Sequence, residues 1–376
     1  MKILISGGHL TPALALVDYV KKNHPHDELI FVGRIFSQTK LRQLAQEKKE
    51  VAQRGIKFVP LKAVRISKTR PFFAQLTAPI VFLKSVIMAW LIFINEKPTI
   101  FVSFGGYVAL PLAVAAFLTK TPIITHEQTH AAGIANQIIA KLAQKVAISH
   151  SSSAKYFPSK KIVLTGNLIR PELITKTTKR PEWIHQPFSK PVLLVMGGNQ
   201  GSWIINQTVM QALPILTKDW TVIHLCGQSH SQIDYEQKLK LATKNLPATQ
   251  QKNYYVREWA SSQDMAWIYN NSQAAVSRAG ANTVMELTLK SIPTVFIPLP
   301  FSRHNEQQIN AQFLVKQKAA ELISQKQLTP NLLVQKLELV KSQKLKFTHR
   351  LNQIQIPTNA AELFYQLMVE ASSHEA

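Results

Sequence analysis

Ser277-Arg278-Ala279-Gly280-Ala281-Asn282-Thr283-Val284-Met285-Glu286 follows a short apolar run and opens a helical pattern that closes at Ser291-Ile292-Pro293. That order spells strand, glycine turn, helix N-terminus, then a carboxylate about two turns along. Unpaired N–H groups and the positive end of a helix dipole suit a phosphate or pyrophosphate. A carboxylate further along can accept hydrogen bonds from a ribose diol. Taken alone, the stretch fits a sugar-nucleotide pocket, and it also fits an ordinary strand-to-helix turn with a surface Glu.

Further polar loops sit where strands are predicted to end. Ser6-Gly7-Gly8-His9-Leu10-Thr11-Pro12 places glycines for close backbone approach, a histidine that could act as base, and a proline suited to a first helical turn. Phe104-Gly105-Gly106-Tyr107, His126-Glu127-Gln128-Thr129 and Gly166-Asn167-Leu168-Ile169-Arg170 follow the next apolar runs. Met196-Gly197-Gly198-Asn199-Gln200-Gly201 is a second glycine loop able to face phosphate. In His304-Asn305-Glu306-Gln307-Gln308-Ile309-Asn310, Gln307 and Asn310 share a helical face, and such amides suit sugar hydroxyls. No Asp-x-Asp pair or His/Cys cluster has metal-ligand spacing, so neither metal nor cofactor is expected.

The elements that must position these loops are short apolar runs alternating with helical stretches, the pattern of parallel α/β sheets. Strands are predicted near Ile3–Ile5, Leu29–Val32, Lys57–Leu61, Thr99–Ser103, Pro122–Thr125, Val146–Ile148 and Ile162–Leu164. The pattern restarts at Val192–Val195, Thr221–Leu225, Tyr254–Val256, Ala274–Val276 and Thr294–Ile297. At 376 residues the chain exceeds one comfortable core. An N-terminal domain 1–168, a Pro-punctuated linker 169–190 and a C-terminal domain 191–357 are expected. A closing helix near 358–372 is expected to pack back on the first domain.

The net charge is +23, and residues 1–170 hold 23 Lys and Arg against 7 Asp and Glu. That excess calls for a phosphate-rich partner, either nucleic acid or an anionic membrane. No nucleic-acid module is recognisable, and no Gly-x-Gly-x-x-Gly follows the first strand to suggest a dinucleotide oxidoreductase. A lone cysteine, Cys226, rules out an internal disulfide. The N-terminus reads as a strand running into glycines, not a secretion signal. Residues 79–94 are apolar nearly all round apart from Lys84, shorter than a bilayer span, and fit a buried helix or an interfacial one. Upstream, the Arg65–Phe73 loop, with Lys68, Arg70, Phe72 and Phe73, reads as the membrane contact.

In this order and spacing the motifs resemble the MurG family of glycosyltransferase family 28, over Met1 to at least Ala311. The resemblance implies an α/β GT-B fold: two doubly wound Rossmann-like domains facing a central cleft, acceptor on the first and donor on the second. It implies inverting transfer of N-acetylglucosamine from UDP-GlcNAc to the lipid-linked muramyl-pentapeptide of peptidoglycan synthesis, at the cytoplasmic face of the bacterial membrane and peripheral to it. Carried over, His9 is the base. Arg170, Asn199, Gln200, Trp259, Ala279, Gly280, Ala281, Asn282, Thr283, Glu286, Glu306 and Gln307 meet the donor, with Glu286 on the ribose. Gly7, Gly8, Gly105, Gly106, Tyr107, His126, Glu127, Gln128 and Thr129 meet the pyrophosphoryl lipid acceptor. The family's GGTGGH is shortened here to Ser6-Gly7-Gly8-His9, its HEQN ends in Thr129, and its GGSQG carries Asn199. Two of these three departures lie on the acceptor side, so another lipid-linked acceptor is the alternative. A GT-B epimerase would have no use for the basic aromatic loop.

Overall fold

The computed structural model describes residues 1–38, 43–44, 46–63, 78–174, 179–185, 187–198, 201–228, 234–302 and 305–373. Unit 1 comprises Met1–Pro171 with Pro357–Ala376, and unit 2 comprises Glu172–Ile356. The chain opens with β1 (Lys2–Ser6), α1 (Leu10–Asn23), β2 (Glu28–Gly33) and a small antiparallel ribbon of β3 (Phe36–Gln38) and β4 (Gln43–Leu44). Next come α2 (Gln46–Gln53), β5 (Lys57–Pro60), α3 (Ala78–Glu96), β6 (Ile100–Ser103), α4 (Gly106–Leu118), β7 (Ile123–Glu127), α5 (Ile134–Leu142), β8 (Lys145–Ile148) and β9 (Ile162–Leu164).

Seven strands of unit 1 form one parallel sheet in the order β5-β2-β1-β6-β7-β8-β9. Both faces are covered, as a parallel sheet requires. Ile3 and Ile5 point into one core with Leu16 and Phe31, while Leu4 joins Phe93, Phe101 and Leu112 on the other. The strand order reverses between β1 and β6, so the crevice for a ligand opens where Gly7–His9 and Phe104–Tyr107 leave the sheet.

A single turn, α6 (Pro171–Ile174), leads into unit 2. Its elements are β10 (Val192–Met196), α7 (Trp203–Asp219), β11 (Thr221–Leu225), α8 (Tyr235–Thr243), α9 (Ala248–Gln251), β12 (Tyr254–Arg257), α10 (Ser262–Asn271), β13 (Ser272–Ser277), α11 (Ala281–Leu289) and β14 (Thr294–Phe296). Then follow α12 (Glu306–Lys316), β15 (Glu321–Leu322), α13 (Pro330–Ser342) and α14 (Lys344–Asn352). The parallel sheet runs β12-β11-β10-β13-β14-β15 and reverses between β10 and β13. Part of the expected linker packs within unit 2: Phe188 lies 5.6 Å from the Trp267 ring, and Trp183 Nε1 donates to Asp264.

The chain ends in α15 (Ala360–Ser373), which returns to unit 1 and buries Phe364, Leu367 and Met368 in the Ile3–Ile5 core. The apolar α3 is not the core helix its composition allows. Only Ser85, Val86, Ala89 and Phe93 are buried, while Ile80, Leu83, Ile87 and Leu91 face outward at 47–59% exposure. Among the described residues it is the one helix long and apolar enough to cross a membrane.

Candidate active site

The first two loops of unit 1 are in backbone contact. A Cβ on Gly8 would lie 1.9 Å from the Gly105 carbonyl oxygen, and one on Gly106 would meet Gly8 Cα at 2.8 Å. No other residue type permits that approach. The contact is fastened by His9 N–H donating to Phe104 O at 3.2 Å. His9 is therefore held as the N-cap residue of α1, at the switch point, with its backbone tied to the segment that leads into α4. Burial lowers its pKa and outweighs the opposing pull of the Glu127 carboxylate. A neutral imidazole at neutral pH is the form that can accept a proton.

The carboxylate at the end of β7 is satisfied by its own loop. Glu127, 1% exposed, accepts from Thr129 N and Oγ1, Gly133 N and Asn136 Nδ2, at 2.7–3.0 Å. Those four donors match the lone-pair sites of a carboxylate. Thr129 Oγ1 also lies 2.6 Å from Ala131 O. Glu127 and Thr129, carried over by resemblance as acceptor contacts, are turned inward here and shape the loop, because a buried charge must be satisfied from within. His126 bonds Gly166 O through Nε2 at 3.2 Å, and burial pushes its pKa down to about 4. Its Nδ1 and Gln128 Oε1 are buried without a hydrogen-bond partner among the described residues.

The matching loops of unit 2 also leave the switch point, since Met196 on β10 pairs with Ser277 on β13. The β10 loop packs so closely on the end of β11 that a Cβ on Gly201 would lie 2.3 Å from Cys226 O. Asn199 and Gln200, in the same loop, lie outside the described residues. Ala279 is buried, Gly280 is the N-cap of α11, and Ala281, Asn282 and Thr283 form its first turn. The N-cap residue has no side chain with which to cap that helix. Glu286, on the second turn, is 3% exposed and accepts from Tyr269 Oη at 2.9 Å.

Glu306 and Gln307 begin α12, and Gln307 Oε1 accepts from Leu299 N–H at 3.0 Å, which leaves its amide NH2 to donate. Asn310, expected to meet sugar hydroxyls, is 3% exposed and donates to Ala279 O at 3.1 Å, so it braces the turn. Trp259 follows β12 and is 37% exposed. Arg170 belongs to unit 1, at its last residues before α6.

Two buried side chains were missed from the sequence. Asn136 also contacts the His126 carbonyl and the Thr125 hydroxyl, at 3.0 and 3.1 Å, and carries no local pattern. Arg278 was visible inside the motif, but its partners come from three distant segments. Among the described residues no group of His, Cys, Asp or Glu is placed to hold a metal ion.

Residues 6–148 match the Glycosyltransferase family 28 N-terminal domain, and residues 192–364 match its C-terminal domain. The chain is 32% identical to a UDP-N-acetylglucosamine–N-acetylmuramyl-(pentapeptide) pyrophosphoryl-undecaprenol N-acetylglucosamine transferase of Bacillus pumilus, over 99% of this chain and 100% of that one. The enzyme of the same name from Bacillus subtilis is 31% identical over 97% of this chain and 98% of its own. Among solved structures, MurG of Acinetobacter baumannii superposes with a TM-score of 0.68 at 23% identity, covering 98% of this chain and 100% of that one.

Proposed function

The chain belongs to glycosyltransferase family 28, and from that premise we propose that it transfers N-acetylglucosamine from UDP-GlcNAc to a muramyl-pentapeptide carried on pyrophosphoryl-undecaprenol. It is a glycosyltransferase of GT-B fold acting in peptidoglycan synthesis. The observation that carries the reading is that both units place their glycine loops at the strand-order reversal of their own parallel sheet. One set suits a hydroxyl-bearing acceptor next to a base, and the other suits a diphosphate and a ribose.

In the proposed reaction an acceptor hydroxyl gives its proton to neutral His9 as its oxygen bonds C1 of the sugar. UDP departs from the opposite face, inverting C1. The charge developing on the diphosphate is met by N–H groups at the start of α11 and the loop before α7. Glu286 takes the ribose, and Tyr269 supports this by holding its carboxylate. Gln307, with Glu306, reads the sugar hydroxyls. The assay is transfer of radiolabel from UDP-GlcNAc into lipid carrying the muramyl-pentapeptide. Donor binding with no transfer would overturn this acceptor and favour another lipid-linked one, the reading that the inward-turned Thr129 supports.

Peripheral attachment to an anionic membrane is part of this proposal. The Arg65–Phe73 loop lies outside the described residues, and α3 supplies the support. Its inner seam is committed to the core, and Ser85 Oγ donates to Lys62 O at 2.9 Å, so the helix stays with its unit while its apolar side meets the lipid interface. Changing Ile80, Leu83, Ile87 and Leu91 to serine should reduce sedimentation with anionic vesicles at least several-fold. Unaltered binding would place the membrane face elsewhere.

A further inference from the structure

Arg278 is 8% exposed, and its guanidinium donates to Ile297 O, Pro298 O, Ser202 Oγ and Gln325 Oε1 at 3.0, 3.2, 2.8 and 2.8 Å. All four acceptors are neutral. A buried cation normally has an anion beside it, because neutral dipoles only partly replace water. Burial lowers its pKa to about 10, which still leaves it charged at neutral pH.

The partner Ser202 is informative. It is the N-cap residue of α7, in extended conformation and of a type that normally accepts a bond from its own helix. Its side chain makes no such bond, and its oxygen accepts from Arg278 instead. The N-cap of α11 is Gly280, with no side chain to cap anything. Two helices thus start at the switch point of unit 2 with N-cap residues that give them no side-chain cap, and one buried positive charge ties their loops together.

We propose that Arg278 is a positioning residue for the donor: it draws Ser202 away from capping α7 and lends an uncompensated charge, so that both helix starts are kept for the diphosphate. The proposal rests on the donor reading above. The counter-ion is the diphosphate itself, which arrives with the donor and carries most charge as its bond to the sugar breaks.

Calorimetry with UDP and with uridine separates this role from a structural one, because uridine has no phosphate. In Arg278→Met, UDP should bind about ten-fold more weakly or worse, while uridine affinity stays within about two-fold of wild type. Arg278→Lys, which keeps the charge, should lie between. Adding Ser202→Ala to Arg278→Met should restore part of the UDP affinity, since no hydroxyl remains to cap α7. Equal weakening of both ligands would make Arg278 a structural clamp, and unchanged UDP binding would remove it from the site. Should Arg278→Met not fold, the Arg278→Lys and Arg278→Gln pair carries the same comparison. Failure of the wild-type protein to bind UDP would instead remove the donor reading on which the proposal stands.

Discussion

At the switch point of unit 1 the buried charge is a carboxylate saturated by its own neighbours, whereas at that of unit 2 it is a guanidinium held by neutral acceptors. Around His9 the carboxylate of Glu127 is saturated by four donors and the imidazoles are driven neutral by burial. Around Gly280 the Arg278 guanidinium donates, among the described residues, to carbonyl, hydroxyl and amide oxygens and to no carboxylate. The difference follows the two halves of the proposed reaction. Proton removal needs a rigid, uncharged base, while departure of a diphosphate needs fixed positive potential that costs no rearrangement at the moment of reaction.

The sharpest way to break this comparison is to remove His9. His9→Ala should lower kcat by about a hundred- to ten-thousand-fold, with UDP-GlcNAc affinity essentially unchanged. A matching loss of donor affinity would mean that the two sites are not separable in this way. The acid limb of kcat/KM should fall below the ordinary histidine value of 6.5, because the folded protein disfavours the charged imidazole.

Acid should also separate the units by stability. Unit 1 carries His9, His126, His130 and His150 with lowered pKa values, His126 at about 4 and His150 at about 3, while unit 2 carries His224 at about 3. Unfolded histidines take up protons first as pH falls, so the stability is present above about 6.5 and is lost on acidification through the folded values. His126 alone accounts for roughly 3 kcal/mol. Hydrogen exchange followed from pH 7 to 4 should show β7 and β8 losing protection before β10 and β13. The reverse order would contradict the assignment of the buried neutral cluster to unit 1.

Smaller effects sharpen the contrast. Glu286→Ala should weaken UDP-GlcNAc binding roughly ten- to a hundred-fold, the worth of hydrogen bonds to a charged group, without altering unit 1. Calorimetry checks this, and unchanged affinity would take Glu286 off the ribose. Asn136→Ala removes one of the donors to buried Glu127 and should cost unit 1 about 1–3 kcal/mol in denaturant unfolding. A null effect would mean that water replaces the amide.

Much of this was legible in the sequence for identifiable reasons. Buried parallel strands are short apolar runs, and glycines forced by backbone contact, such as Gly8 and Gly106, punctuate them visibly. The two-residue β15 and the β3–β4 ribbon are too short to carry a pattern. The outward face of α3 was ambiguous, because a helix apolar all round does not say which side meets the core. The roles of Arg278 and Asn136 depend on carbonyls and carboxylates far away in the chain, which no local spacing encodes.

The closing helix has a consequence for how the protein is made. Phe364 on α15 lies 5.9 Å from Phe104 and 5.8 Å from His126, directly under the proposed acceptor site. Tyr365 donates to Asp27, which also pairs with the amino terminus of Met1. Unit 2 is therefore an insertion within unit 1, and Met1 lies against α15, where Ser372 Oγ is 3.4 Å from its sulfur. During synthesis every residue of unit 2 leaves the ribosome before α15, so the donor half can mature while the acceptor half still lacks part of its core. Emergence of α15 is then the event that completes the core of the acceptor half.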